Sequence, residues 1–112
     1  MTDKDILNFG YHEYPVGPFD ADGVIANFQK CIKDEMGKKY FLNIHKYEEW
    51  VHPHTKERIP ESYEFETYFV NHSNEPVKML FYAGWTIESF EKYAEQLFNT
   101  GLFQYYEHWD EC

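Results

Sequence analysis

Residues 21–36 read ADGVIANFQKCIKDEM, and the architecture turns on the period assigned to them. Val24, Ile25, Phe28, Cys31, Ile32 and Met36 recur at i, i+1, i+4, i+7, i+8 and i+12, which on a helical period is a single apolar stripe. The spacing predicts an amphipathic helix, capped by Asp20 or Asp22 at its start and stopped by Gly37. Lys30, Lys33, Lys38 and Lys39 gather toward its end, where cations complement the helix dipole.

Beyond Lys39 the period drops to two. Tyr40, Leu42 and Ile44 alternate with Phe41, Asn43 and His45, a strand reading as far as about Trp50. Tyr63, Phe65, Thr67 and Phe69 alternate in the same way with Glu64, Glu66, Tyr68 and Val70. After the turn cluster HSNEP (72–76), VKMLFYA (77–83) supplies a third strand. TIESFEKYAEQLFN (86–99) is a second helix, with Thr86 as N-cap, Gly101 as stop, and Ile87, Phe90, Ala94, Leu97 and Phe98 as its buried stripe. Gly10, Pro15, Gly17 and Pro18 punctuate the first twenty residues, so 1–20 reads as an extended lead-in with room for a short strand.

The predicted fold is therefore one α+β domain over 1–112. A three-stranded antiparallel sheet, open to a fourth edge strand, carries two helices on one face. The order is α-β-β-β-α, followed by an acidic aromatic tail over 102–112. That order is similar to the double-stranded-RNA-binding domain. The family opens its last helix with lysines that meet phosphates, whereas here the helix opens TIESFE. RNA binding is not expected.

Charge points the same way. The chain of 112 residues has 20 acids against 10 lysines and arginines, a net charge of −10. Residues 59–112 hold only Lys78 and Lys92 as bases, and none follows Lys92. Such a field disfavours direct contact with nucleic acid or an anionic membrane and speeds encounter with a basic partner. The 10 Phe, 10 Tyr and 3 Trp exceed what a core of this size takes in, because buried tyrosine hydroxyls need partners; some should stand at a binding surface.

The sequence-level site is an acidic and aromatic surface. Glu88, Glu91 and Glu95 share the outer face of the second helix, and Glu64, Glu66 and Tyr68 point together from their strand. The tail adds Tyr105, Glu107, Trp109 and Asp110. Aromatic anchors among charges suit a protein–protein hot spot. The expected function is a small acidic protein-binding module: an inhibitor, immunity protein or anti-defence factor. It would dock on the basic nucleic-acid-binding surface of a partner protein, with carboxylates in place of phosphates.

The stretch WVHPHTKERIP (50–60) holds His52 and His54 around Pro53. It reads as a turn, since a metal site needs further ligands at fixed geometry. No metal, cofactor or catalytic residue is assigned, and no nucleophile or phosphate-loop motif occurs. The alternative is a small-molecule or metal-dependent enzyme built on His45, His52 and His54; a third reading is a homo-oligomeric subunit. Cys31 is expected as a core thiol and Cys112 as a free one, with a bridge between the two as the lesser alternative, in a reducing, cytoplasmic setting. The opening MTDKDILNFG has no basic and apolar leader pattern, and no run is apolar enough for a membrane span.

Overall fold

The computed structural model describes residues 1–33, 39–70, 76–81 and 85–100, with the backbone alone for 39, 68–70 and 76–81. Helix α1 spans Asp3–Asn8 and α2 spans Ile87–Asn99. Between them run β1 (His12–Tyr14), β2 (Val24–Lys33), β3 (Lys39–Tyr47), β4 (Trp50–Val51), β5 (Arg58–Ile59), β6 (Ser62–Val70) and β7 (Pro76–Phe81). Five strands form an antiparallel sheet in the order β1-β2-β3-β6-β7, and β4 pairs with β5 as a separate hairpin between β3 and β6.

The α+β class and the antiparallel strands 39–47, 62–70 and 76–81 follow the sequence. The helix expected over 21–36 does not form: its described part is β2, the strand beside β3. Two physical reasons decide this. Val24, Ile25, Phe28 and Ile32 are β-branched or aromatic and suit a pleated surface. In addition, the register on β3 shifts between Val24 and Ala26, and such a bulge breaks strict alternation; Ile25 there is 45% exposed. Ala26 and Phe28 are buried on one face and Asn27 on the other. Gly23, at φ +90°, sits in the left-handed turn that enters β2, a conformation that favours glycine. Its carbonyl accepts from the Glu48 backbone at 2.8 Å.

The extended lead-in is corrected at its start, to helix α1, while the short strand it left room for is β1, at the sheet edge. A six-residue helix is too short to persist alone; its ends and one side chain hold it. Thr2 and Asp5 form a capping box, and the hydrogen bonds from Thr2 hold the Asp5 carboxyl below its ordinary range. Ile6 is fully buried in the core. Asp3 accepts from Tyr63 Oη at 2.8 Å and from Lys46 Nζ at 3.1 Å.

Both helices lie on one face of the sheet, as expected, although α1 is not the helix that was expected. Ile6, Ile87, Phe90 and Ala94 pack against Ala26, Phe28, Tyr40, Leu42, Ile44 and Phe65. Thr86 caps α2 as predicted, with its hydroxyl accepting from the Ser89 backbone at 3.0 Å. Cys31 is half-buried and disulfide-bonded, not a free core thiol. The other cysteine of the chain, Cys112, lies outside the described residues, as does the whole 102–112 tail. No helix among the described residues is long and apolar enough to cross a membrane.

Candidate functional site

The sheet face opposite the helices carries a polar cluster. Antiparallel register sets Asn27 beside His45, His45 beside Glu64, and Asn43 beside Glu66. Strand alternation then turns all of these side chains to the same face. Asn27, Asn43, His45 and Glu66 are buried there, and Glu64 is half-buried at the edge.

A relay of hydrogen bonds orients the cluster. Asp20 Oδ2 accepts from Asn27 Nδ2 at 3.1 Å and from the Gly17 backbone at 2.7 Å. Asn27 Oδ1 meets His45 Nδ1 at 2.6 Å, and His45 Nε2 faces Glu66 Oε2 at 3.3 Å. Tyr47 Oη donates to Glu64 Oε2 at 3.4 Å, and Gln29 Nε2 donates to Asn43 Oδ1 at 3.0 Å. The Tyr14 phenol is pushed up to about 12, chiefly by burial and then by the Glu66 and Asp20 carboxylates.

This placement changes the expected acidic surface. Glu64 and Glu66 do point together, but Glu66 is only 3% exposed and turns onto His45. On α2, Glu88 and Glu95 are exposed, while Glu91 is half-buried and bonds Lys30 Nζ at 2.8 Å. The strand acids and the helix acids lie on opposite faces of the sheet, so they do not make one surface. The side chain of Tyr68, and all of Tyr105, Glu107, Trp109 and Asp110, fall outside the described residues.

The three histidines do not form a site either. His45 is in the buried cluster, whereas His52 and His54 are in the hairpin loop. That loop is the turn the sequence indicated. His52 N donates to Glu57 O at 2.8 Å and Lys56 N to His52 O at 3.0 Å. His52 Nδ1 accepts from the backbones of His54 and Thr55 at 3.2 and 3.1 Å. Lys56 sits at φ 60°, where a side chain is disfavoured. Lys56→Gly is expected to raise unfolding stability by up to about 1 kcal/mol, read as a higher urea midpoint; a lower midpoint would show that the loop does not need this backbone shape.

The hairpin presents what the sequence reading passed over. Trp50, Val51 and Ile59 are 48%, 45% and 46% exposed, although each is a good core residue. Trp50 pairs with Ile59 across the ladder and meets the His52 ring edge-on at 5.3 Å. Exposed carboxylates of Glu48, Glu49 and Glu57 surround them, with Glu49 bonded to Arg58 at 2.9 Å. The signal in the sequence was Trp50-Val51 beside Glu48-Glu49, apolar residues set among charges within a turn-rich segment.

Fold and sites together define an α+β protein with a buried histidine–carboxylate cluster and an exposed apolar hairpin. No protein-family model, curated protein or solved structure matches the chain.

Proposed function

We propose that the chain is a small acidic protein-binding module that docks on a basic, nucleic-acid-binding surface of a partner protein, as an inhibitor, immunity protein or anti-defence factor. The observation that carries this reading is the β4–β5 hairpin. Its Trp50, Val51 and Ile59 stand half-exposed outside the core. A two-stranded hairpin gains little stability by itself, so an apolar surface placed on one suits a contact with something else. Trp50 is the natural anchor. Glu48 and Glu57, with Glu49 already paired to Arg58, would take the place of phosphates, and the net charge of −10 would steer a basic partner toward them. Glu88 and Glu95 on α2 extend the field.

The test is retention of a partner from host lysate on the immobilised protein, followed by affinity measurement on the purified pair. One basic protein is expected in stoichiometric amount, released by salt. Trp50→Ala should weaken it by at least about 30-fold, the size of a hot-spot loss. Glu88→Lys with Glu95→Lys should slow association and flatten its salt dependence. Retention of no basic protein, or equal affinity in Trp50→Ala, would sink the proposal.

A further inference from the structure

The relay Asp20–Asn27–His45 fixes the state of the buried histidine. Asp20 Oδ2 has only lone pairs to offer, so the Asn27 group that meets it at 3.1 Å is the amide nitrogen. The Asn27 atom 2.6 Å from His45 is then the carbonyl oxygen, which accepts and never donates. His45 Nδ1 must carry the proton. In the neutral imidazole this leaves Nε2 as a bare lone pair, aimed at a Glu66 carboxylate oxygen 3.3 Å away.

Two acceptors do not face each other at that distance unless something positive lies between them. A proton between them is one answer, carried on Nε2 as an imidazolium–carboxylate pair or on Glu66 as a carboxyl that donates to Nε2. Such charge-assisted bonds close to about 2.7–2.9 Å, shorter than the separation here. A metal ion is the other. Ligand bonds of about 2.0–2.2 Å in a tetrahedral shell put neighbouring donor atoms about 3.4 Å apart, close to the observed spacing. A third donor is in place, because ligand atoms of His45, Glu64 and Glu66 all lie within 4.8 Å of one another.

We propose that His45 Nε2 and the carboxylates of Glu64 and Glu66 bind a divalent first-row transition metal ion, of which zinc is the probe. One imidazole with two carboxylates suits such ions better than magnesium or calcium, which prefer oxygen throughout. The surroundings match a ligand set. Asn27 holds the distal nitrogen of the histidine, the usual second partner of a metal-bound imidazole, and Tyr47 Oη donates to Glu64. Glu64 is half-buried, so water reaches the cluster from its side and can fill the remaining positions. This site is on the sheet and shares no residue with the hairpin, so it stands or falls apart from the partner-binding proposal.

The experiment is titration of zinc alone into the metal-free, full-length protein by calorimetry, repeated with cobalt for its visible absorption. One equivalent is expected, with Kd in the micromolar range or below. Glu64→Gln, which keeps the shape of a half-buried side chain, should raise Kd at least 100-fold while leaving the thermal midpoint of the metal-free protein unchanged within a few degrees. Absence of stoichiometric uptake would overturn the proposal. Nitrogen NMR showing both His45 ring nitrogens protonated, with and without zinc, would do the same and assign the imidazolium pair. Zinc uptake that survives Glu64→Gln but disappears in His52→Ala with His54→Ala would place the metal on the hairpin and also overturn it.

Discussion

Phe90→Ala is expected to lower the unfolding free energy by about 3–5 kcal/mol, a large share of the roughly 5–15 kcal/mol of an ordinary domain. Phe90 is fully buried, and its ring lies 5.0 Å from that of Phe65 on β6. It joins α2 to the centre of the sheet, with Ile87 and Ala94 on either side along the same stripe. A 13-residue helix holds poorly in water without such packing. Deleting the ring removes its transfer energy and leaves a cavity that the sheet, tied by strand pairing, closes only in part. The check is urea denaturation followed by far-ultraviolet circular dichroism. A loss below about 1 kcal/mol, the typical size for an ordinary point mutation, would mean that α2 does not dock through this stripe. The exposed Glu88 and Glu95 depend on the same anchor, so the variant should also lose the helix's part of any partner affinity.

The residues that made α2 legible are the ones that hold it. Thr86 caps it and Ile87, Phe90 and Ala94 bury it, all at positions the helical period marks. Strands β3, β6 and β7 were legible for the corresponding reason: one face of β3 and β6 packs on the helices, so apolar residues recur every second position. Strand β2 was not. Val24, Ile25, Phe28 and Ile32 satisfy a helical stripe by coincidence, and the register shift between Val24 and Ala26 breaks the alternation that would have told against it. Asp22-Gly23 was the available warning, because a glycine inside the first turn of a helix is disfavoured by about 1 kcal/mol while Asp-Gly is ordinary turn chemistry. Helix α1 is shorter than any periodicity, and only the Thr2–Asp5 cap announces it.

The buried cluster was hidden for a different reason. The parity of Glu64 and Glu66 was readable from β6, but a carboxylate reads as exposed by default. What buries Glu66 against His45 is the register of β3 on β6, and the hairpin excursion between them conceals that register. Asn27 was concealed by the helical reading of its strand.

Stability should fall steeply as pH rises above about 10. In the unfolded chain a tyrosine loses its proton near its ordinary value of 10.0, whereas Tyr14, Tyr40 and Tyr63 are held to about 12 in the folded protein and Tyr11 higher still. Burial is the first cause in all four. The Glu91 carboxylate adds to it at Tyr11, Glu95 and Glu91 at Tyr40, and the bond to Asp3 at Tyr63. Between those pH values the native state binds more protons than the unfolded one, so unfolding releases protons and added base favours it. The stability is whole below pH 10 and is lost progressively toward pH 12. Tyr11, only 3% exposed, accounts for about 1.4 kcal/mol per pH unit over that range; the other three add smaller amounts. Its hydroxyl has no hydrogen-bond partner of good geometry among the described residues, although Glu91 is near. Tyr11→Phe therefore removes an unsatisfied buried group. It should leave stability at pH 8 unchanged or raise it by about 1 kcal/mol, and reduce the alkaline slope by one proton. Urea midpoints at pH 8, 10 and 11, with the tyrosinate absorbance followed in parallel, read both effects. An alkaline slope in Tyr11→Phe equal to that of the parent protein would show that this phenol is not held in the neutral form by the fold, and that Tyr11 is not buried in the core cluster with Phe28 and Phe90.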